Sequence, residues 1–479
     1  PVIVAVVDSG LDISHEDLIP NLWSNPGEIA GNGLDDDQNG FVDDVHGWNF
    51  LGGVDNTTTE VTREVVRMKK LKAAREAAGG QLTVEEAAYL EKVAHEVFLA
   101  RYDAQSVLDE LTPVREYLFE DYTAIQQELG VEFSEVTLAL LAAHVPSSPQ
   151  VKEHVDNMMA FMAEFRMPSI ARLERVMGRQ NDLLNYYLNE AFDPRAEILG
   201  DDPSDLSQHR GYGDANVYAG DASHGTHVSG IIGAVRNNGV GIDGVATDVQ
   251  IMSVRAVPNG DEYDKDVANA IRYAVDNGAR VINMSFGKTY SPQKQGVDEA
   301  FQYAADHGVL VVHAAGNSAL DVDVESHFPN PDRLNGGIIP SWITVGASSA
   351  YGDKNLPAVF SNYGTRNVDL FSPGVDLRST VPGTKKYDTY SGTSMASPVV
   401  AGVAALVLSQ FPTLTAVQLR DLLTGAVRNR TSLPVLLPGA EPELLVPFSR
   451  LSVTGGVVDA YAALLRAGLG TRLPGQQHP

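Results

Sequence analysis

The chain opens with PVIVAVVDSG at residues 1–10, an apolar and largely β-branched run that ends in Asp8. Such a run predicts a buried β-strand. Further strand-like runs alternate along the chain with amphipathic stretches of helical length, which predicts a parallel sheet with helices on both faces, an α/β fold. The later runs lie at 251–257, 281–285, 309–314 and 342–346, and the helical stretches at 267–277, 297–307 and 394–410.

The composition excludes several classes of protein. Of the 479 residues, 43% are apolar and 20% are charged, which is enough apolar side chain for a large packed core. The formal charge of −27 argues against a nucleic-acid partner, since phosphate binding needs a basic surface. The absence of cysteine excludes disulfides, a cysteine nucleophile and a thiolate metal site. No run of about 18 apolar residues is evident, so we expect no membrane-spanning segment.

Three motifs that are distant in sequence carry residues suited to nucleophilic catalysis. Asp8 ends the first strand, His224 opens a small-residue helix in HGTHVSG, and Ser394 begins an apolar helix in SGTSMASP. A serine hydroxyl needs an adjacent base, a histidine can accept and return its proton near neutral pH, and a carboxylate can orient that histidine. Because ligands bind beyond the carboxyl ends of parallel strands, we expect the three side chains to converge there.

A fourth motif, VHAAGN at 312–317, places Asn317 directly after a predicted strand. An asparagine side chain there can donate a hydrogen bond to the negatively charged oxygen of a tetrahedral intermediate. The helix that begins at Ser394 adds backbone N–H groups and the positive end of its dipole. The two motifs together predict an oxyanion site beside the serine.

The four motifs resemble the signature blocks of the subtilisin-like serine proteases, or subtilases, which follow the order Asp, His, Ser. The resemblance covers residues 1–50 and about 210–465. It implies a three-layer parallel-sheet subtilase fold. It also implies that Asp8, His224 and Ser394 form the catalytic triad and that Asn317 binds the oxyanion.

Two further segments resemble the substrate-binding segments of the family. His227, three residues beyond His224, is a rival base, but its position in the motif favours packing beneath the site. His313 is expected to have a structural role. The segment that would pair with the substrate backbone is Ser285, Phe286 and Gly287, and a wall of the primary specificity pocket would be Ala314, Ala315 and Gly316.

The loop NGLDDDQNGFVDD at 32–44 is rich in acids and amides. Acids or amides at alternate positions, then Gly and an apolar residue, match the first eight positions of a calcium loop. The twelfth position is His46 rather than the usual glutamate, and the alternative is a solvated acidic turn. Similar loops bind calcium in some subtilases, so we expect a structural calcium ion. The predicted ligands are Asp35, Asp37, Asn39 and the carbonyl of Phe41, with Asp43 or Asp44 in place of the glutamate.

A helical insertion is predicted between Asp8 and His224, which are 216 positions apart where the family commonly has a few dozen. Glycine is scarce, helical spacing is frequent, and roughly four to six helices are expected, with breaks or kinks at Pro113 and Pro168. Both ends of the insertion must lie close together, because both return to the same sheet. The predicted segments are a discontinuous catalytic domain at 1–59 and 201–470, the helical insertion at 60–200 and a flexible tail at 471–479.

A methionine-rich stretch at 158–167 lies within the insertion. It is interpreted as bundle core, the alternative being an adaptable apolar face for a partner or substrate.

The resemblance to subtilases implies a secreted or cell-envelope serine endopeptidase that cleaves proteins and peptides through an acyl-enzyme on Ser394. Calcium would be structural, and the chemistry itself requires no metal. An alternative from a different class is a catalytically silent scaffold that binds proteins through the insertion, and peptide ligation is an alternative within the same class. Because residues 1–8 already read as a strand, we expect the signal and propeptide to lie outside this chain.

Overall fold

The computed structural model describes residues 1–470, and the predicted tail at 471–479 lies outside the described residues. The chain divides into two compact units. The sheet unit contains Pro1–Glu60 and the chain from Asp193 onward, and the helical unit is Val61–Phe192. Residues 193–200, which we expected in the helical insertion, therefore group with the sheet unit.

The bounds of the regular elements follow the predicted alternation closely. The strands are β1 (Val2–Asp8), β2 (Gly47–Asn49), β3 (Val249–Arg255), β4 (Val281–Met284), β5 (Leu310–Ala314), β6 (Trp342–Ser348), β7 (Leu370–Pro373), β8 (Leu377–Thr380), β9 (Tyr387–Tyr390), β10 (Val427–Asn429), β11 (Pro434–Leu436), β12 (Leu445–Pro447) and β13 (Gly456–Val458). The helices are α1 (Glu60–Ala77), α2 (Val84–Leu129), α3 (Leu138–Ala143), α4 (Pro149–Glu164), α5 (Ile170–Asp182), α6 (Ser223–Gly233), α7 (Asp264–Asp276), α8 (Lys294–Asp306), α9 (Thr393–Gln410), α10 (Ala416–Gly425) and α11 (Ala460–Gly470).

A nine-stranded sheet dominates the described part of the sheet unit, in the order β10-β13-β7-β6-β5-β4-β1-β3-β2. Its pairings are parallel except for the edge pair β10–β13. Strand β1 lies between β3 and β4, and Asp8 at its carboxyl end stands opposite Arg255 of β3. Asp8 therefore lies at the carboxyl edge of the sheet, at the end of a strand that has a neighbour on each side.

Strand β1 shows why the sheet is covered on both faces. Successive side chains of a strand point to opposite faces. Val4 and Val6 are buried in one hydrophobic cluster together with α6 and α9, and Ala5 and Val7 are buried in a second cluster together with α7 and α8. A strand that is apolar at every position therefore specifies a three-layer arrangement, and the predicted α/β fold is confirmed.

Helix α9 is long and apolar enough to cross a membrane by length and composition, which the sequence analysis did not anticipate. Of its 18-residue window, 72% is buried inside the protein. Val400, Ala401 and Ala404 of α9 lie in the core cluster that also contains Val4. The apolar character of α9 is accounted for by packing against the sheet.

The helical unit is built around the long helix α2. A reciprocal capping box begins it: Glu86 N donates to Thr83 Oγ1 at 3.2 Å, and Thr83 N donates to the Glu86 carboxylate at 2.9 Å. Of the break or kink predicted at Pro113, the break does not occur, because α2 continues through this residue. Packing of α2 against α4 and α5 outweighs the local cost of proline, roughly 3 kcal/mol.

The core of the helical unit contains most of the methionine-rich stretch. Met158 and Met162 are completely buried, and Met159, Met167 and Phe161 are packed against the same cluster. Phe165 is the exception, with 58% of its surface exposed. The stretch therefore serves chiefly as bundle core, as we interpreted it.

Within the sheet unit, both points where the chain leaves and re-enters are held by the start of α7. Lys288 Nζ lies 2.7 Å from Glu60 Oε2 and 2.8 Å from Asp264 Oδ1. Arg195 is fully buried and forms an ion pair with Asp266. Asp264 and Asp266 both stand in the first turn of α7, so the two exit points share one anchor.

Candidate active site

The histidine and the aspartate of the predicted triad meet at the carboxyl edge of the sheet. His224 Nδ1 lies 2.7 Å from Asp8 Oδ1. The aspartate side chain is 2% exposed, whereas the histidine side chain is 39% exposed. Helix α6 can approach this closely because Gly225 lacks a side chain: a Cβ there would lie 2.1 Å from the carbonyl oxygen of Gly10.

The environment of His224 sets its basicity. Burial lowers the pKa of the imidazole, but the negative charge of Asp8 and the hydrogen bond to Asp8, with a smaller effect of Asp221, raise the pKa above its ordinary value. With Nδ1–H directed at Asp8, the basic nitrogen is Nε2. The arrangement suits a general base whose tautomer is fixed by a carboxylate.

Ser394 stands at the second position of α9. Its hydroxyl donates to the carbonyl oxygen of Ser285 at 3.1 Å, and the hydroxyl of Ser285 donates to the Ser394 carbonyl at 2.9 Å. Asn283 Nδ2 donates to Ser285 Oγ at 3.0 Å, and Ser397 Oγ donates to Asn283 Oδ1 at 2.8 Å. This network ties the first turn of α9 to the end of β4. The sequence analysis missed Asn283, and it missed Ser397 although that residue lies in the quoted SGTSMASP motif.

Asn317 is exposed just beyond β5, and its amide is oriented by Thr393. Thr393 N donates to Asn317 Oδ1 at 2.8 Å and Thr393 Oγ1 donates to the same atom at 2.9 Å. The Nδ2 atom is then the donor end of the amide, and a Cβ on Gly392 would lie 3.6 Å from it. An amide donor thus stands beside the N-terminus of α9. Thr393 was missed as a functional residue although it lies in the quoted SGTSMASP motif.

The rival base, His227, is occupied elsewhere. Its Nε2 lies 3.1 Å from the carbonyl oxygen of Leu377 and 3.2 Å from that of Asp388, and its ring stacks on Tyr390. Burial lowers the pKa of His227 to about 4. A neutral ring locked between two strand carbonyls packs beneath the site and is poorly placed to move a proton.

The two segments predicted to bind substrate continue neighbouring strands. Ser285, Phe286 and Gly287 follow β4, and Ala314, Ala315 and Gly316 end or follow β5. His313 joins them, because its Nε2 lies 2.9 Å from the carbonyl oxygen of Phe286. Burial lowers the pKa of His313 to about 3, so the ring is neutral and donates this bond, which gives it the expected structural role.

Two carboxylates of the acidic loop, those of Asp43 and Asp35, accept hydrogen bonds from the backbone of the loop. Asp43 accepts from the backbone N–H groups of Gly31, Asn32 and Gly33 at 2.8 to 3.1 Å, so its carboxylate closes the loop. Asp35 accepts from Asn39 N at 3.0 Å in the same way. The Phe41 ring lies in the aromatic core and is 6% exposed.

Three carboxylates of this region come together. Ligand atoms of Glu28, Asp37 and Asp44 lie within 4.8 Å of one another. Asn39 Nδ2 donates to both aspartates, at 3.1 Å each. Burial raises the pKa of Asp44 to about 6, and Tyr273 donates a hydrogen bond to it at 2.6 Å. Oε2 of Glu28 is buried and, within residues 1–470, has no hydrogen-bond partner.

This donor set fits a calcium ion, because hard carboxylate oxygens are its preferred ligands and an unpaired buried oxygen calls for a positive partner. Glu28 was missed by the sequence analysis, since it lies outside the alternating pattern of the loop.

Comparison with known proteins identifies the family. The sequence model of the subtilase family matches residues 1–437. The chain belongs to the subtilase family. A thermophilic serine proteinase from Bacillus sp. (strain AK1) is 44% identical to it over 190 residues, which cover 39% of this subtilase and 43% of that protein. Subtilisin E from Bacillus subtilis (strain 168) is 39% identical over 213 residues, which cover 44% of this chain and 52% of that protein.

One solved structure is also similar to this chain. The crystal structure of fervidolysin from Fervidobacterium pennivorans, described as a keratinolytic enzyme related to subtilisin, is 33% identical with a TM-score of 0.41 and covers 54% of this chain and 38% of that chain. This subtilase spans about half the length of the curated relatives it matches.

Proposed function

We propose that this subtilase is a serine endopeptidase that hydrolyses peptide bonds in proteins through an acyl-enzyme on Ser394. The observation that carries the proposal is the 2.7 Å hydrogen bond between His224 Nδ1 and the buried carboxylate of Asp8. It leaves Nε2 as the only basic nitrogen of an exposed histidine, which is the state a general base requires. The family to which the chain belongs supports the same roles.

The first half of the reaction forms the acyl-enzyme. The oxygen of Ser394 bonds to the carbonyl carbon of the substrate while the hydroxyl proton passes to Nε2 of His224. Asp8 stabilises the imidazolium that results. When the tetrahedral intermediate collapses, the C–N bond breaks and His224 returns the proton to the leaving amine.

The second half releases the acid product. A water molecule gives one proton to Nε2 of His224 as its oxygen bonds to the acyl carbon. Collapse of this second intermediate breaks the bond to Ser394, whose oxygen takes the proton back. The triad is then regenerated, and no metal takes part in either half.

The oxyanion of both intermediates would be bound by Asn317 Nδ2 and by the backbone N–H at the start of α9. The two hydrogen bonds from Thr393 to Asn317 Oδ1 support this, because they turn the amide donor outward before substrate arrives. A donor that is already oriented stabilises the developing charge without reorganisation in the transition state.

Substrate would bind along the two segments that follow β4 and β5. Extended substrate backbone can pair with the segment Ser285, Phe286 and Gly287, and the side chain just before the cleaved bond would lie against Ala314, Ala315 and Gly316. The hydrogen bond from His313 to the Phe286 carbonyl supports this arrangement, because it holds the first segment beside the second.

Calcium is proposed as a structural ion held by Glu28 together with Asp37 and Asp44, two of the predicted ligands. The buried, unpartnered Oε2 of Glu28 supports the site. Asp35, Asn39 and Asp43 would shape the loop, and Phe41 would anchor it to the core. An ion that binds only the folded chain raises stability by mass action. Isothermal titration of the intact protein with calcium, compared with Asp37→Ala, tests the site, and absence of binding by the intact protein contradicts it.

The sheet unit is proposed as the catalytic domain and the helical unit as its insertion. Replacing 61–192 by a short linker tests a role in recruiting protein substrates: we expect protein cleavage to fall while cleavage of short peptides is retained. Equal loss on both substrates, or no loss on either, contradicts that role. We also propose a secreted or cell-envelope location, which rests on the family alone and is tested by fractionation of the source cells.

A fluorophosphonate probe separates the protease from the silent-scaffold alternative. We expect labelling of the intact chain, loss of labelling in Ser394→Ala, and slow labelling in His224→Ala. Ser409→Ala is the matched control, because Ser409 lies in the last turn of the same helix and its hydroxyl donates only to the carbonyl oxygen of Leu406. An unlabelled wild-type protein with no cleavage of a mixed peptide pool would favour the scaffold.

A further inference from the structure

His327 stands out as a buried polar group with no role in the triad, the oxyanion site or the metal cluster. Its Nε2 is buried and finds no hydrogen-bond partner in the described part of the chain. Such a group costs free energy in the folded protein and calls for an explanation. Burial lowers the pKa of His327 to about 4, so the ring is neutral at neutral pH.

The position of this nitrogen relates it to the substrate-binding segments. A Cβ on Gly287 would lie 2.4 Å from His327 Nε2, and a Cβ on Gly316 would lie 3.2 Å from the same atom. The imidazole therefore occupies space left by the missing side chains of two glycines, one from each segment. Replacement of either glycine by alanine would place a Cβ atom in close contact with the imidazole.

The backbone fixes the ring in this position. Lys288 and Phe328 form an antiparallel bridge, with Lys288 N donating to Phe328 O and Phe328 N donating to Lys288 O, both at 2.8 Å. His327 immediately precedes the bridge on one side and Gly287 on the other. The imidazole is thus held beside the segment Ser285, Phe286 and Gly287, which would pair with the substrate backbone.

The imidazole of His327 also borders a cavity. A cavity of about 210 Å³ is lined by His327, His313 and Ala315, but by neither Gly287 nor Gly316. Removal of the imidazole would join this cavity to the space between the two glycines. The ring therefore limits how deep a side chain can extend between the segments.

We propose that His327 forms the inner end of the primary specificity pocket and selects substrates whose side chain before the cleaved bond is short and ends in a hydrogen-bonding group. The proposal rests on the proposed protease function. The unpaired Nε2 would gain its missing partner from the substrate amide or hydroxyl, and the ring would exclude long apolar and aromatic side chains by occupying their space.

The test compares kcat/KM for peptides that differ only in that side chain, using asparagine and leucine as a pair of similar shape and alanine and phenylalanine as a pair of different length. For the wild type we expect asparagine to exceed leucine roughly threefold to tenfold, the range of one net hydrogen bond. His327→Leu should abolish that preference and still exclude phenylalanine. His327→Gly should raise phenylalanine relative to alanine about tenfold or more.

His307→Leu, on an exposed histidine at the end of α8, is the control and should leave both ratios unchanged. Titration with the fluorophosphonate probe gives the concentration of active sites for each variant, so partial misfolding does not distort the ratios. A wild type that prefers leucine, or variants whose two ratios match the wild type, overturns the proposal for His327. A wild type that is neither labelled nor active overturns the protease function instead.

Discussion

Thr393 donates two hydrogen bonds to a single atom of Asn317, one from its backbone and one from its hydroxyl. The same hydroxyl accepts a hydrogen bond from Gly316 N at 3.1 Å. Thr393, which precedes the proposed nucleophile, therefore couples the start of α9 to the backbone that carries Asn317, the proposed oxyanion donor. Rotation of the amide to present its oxygen to a negative charge would break both of these bonds.

The first prediction follows from that orientation. Thr393→Val removes the hydroxyl but keeps the shape, so one of the two bonds to Asn317 is lost and Gly316 N loses its acceptor. We expect kcat to fall about tenfold with little change in KM, because the interaction acts mainly in the transition state. Full loss of the donor in Asn317→Ala should cost about 10² to 10³ in kcat, the magnitude known for subtilisin itself.

Thr393→Ser is the matched control for this measurement, since it retains the hydroxyl and should keep most of the activity. Steady-state kinetics on one peptide substrate suffice for all three variants. If Thr393→Val turns over as fast as Thr393→Ser, the hydroxyl has no part in orienting the amide.

The second prediction concerns pH. The base must be neutral to accept a proton, so kcat/KM should fall as pH drops through the pKa of His224. Asp8 and Asp221 hold that pKa above the ordinary value of a histidine, and the midpoint of the acid limb should therefore lie above that of a free imidazole. Asp8→Asn should move the midpoint to lower pH and reduce kcat about 10⁴-fold, as in other triad proteases.

Asp221→Asn refines the same experiment. Asp221 is exposed and contributes only through its charge, so its replacement should move the acid limb to lower pH while the plateau rate is preserved. High salt should diminish the difference from the wild type, because exposed charges are screened. A shift to higher pH would contradict the electrostatic account of His224.

The third prediction concerns the three-carboxylate cluster. Calcium at about a hundred times its dissociation constant should raise the free energy of unfolding by about 2.7 kcal/mol, measured as a rise in Tm. Glu28→Gln should remove most of that rise, because the unpaired Oε2 loses its charge. Glu299→Gln, on the exposed side of α8, should respond to calcium like the wild type. An equal calcium response in both variants would exclude Glu28 as a ligand.

The fourth prediction concerns stability alone. The side chain of Arg195 has no solvent-accessible surface. It forms ion pairs with the carboxylates of Asp201 and Asp266. Arg195→Ala leaves the buried carboxylate of Asp266 without its cation, whereas Asp201 keeps Lys265, and the loss should lower the free energy of unfolding by about 3–5 kcal/mol. Arg166→Ala, at an exposed position of the helical unit, should have little effect. Urea unfolding of both variants measures the difference, and a similar small loss in each would count against the ion-pair account.

The sequence predicted the elements that carry strong local signals. The β-branched run of β1 and the apolar run of α9 are specified by their own residues, and both appear at the predicted positions. Pro113 misled the prediction because long-range packing of α2 outweighed a local helix breaker. Local propensity is a weak guide where tertiary contacts are extensive.

The parts of the site that the sequence did not predict depend on contacts between distant segments. Asn283 is an unremarkable residue of a buried strand, and it becomes part of the site only because β4 ends beside α9. His327 showed no ligand spacing in the sequence, and its nitrogen meets Gly287 and Gly316 only in the folded chain. Residue type and spacing identify the reacting groups, but the groups that orient them are defined by the fold.

The shared anchor at the start of α7 has a consequence for how this chain can vary in length. Lys288 pairs with Glu60 and Asp264, and Arg195 pairs with Asp266, so these ion pairs form between residues of the sheet unit itself. Any segment inserted between Glu60 and Arg195 is therefore flanked by ion pairs whose partners all belong to the sheet unit. We expect this position to accept an inserted helical bundle of a different length without changes to the sequence of the sheet unit.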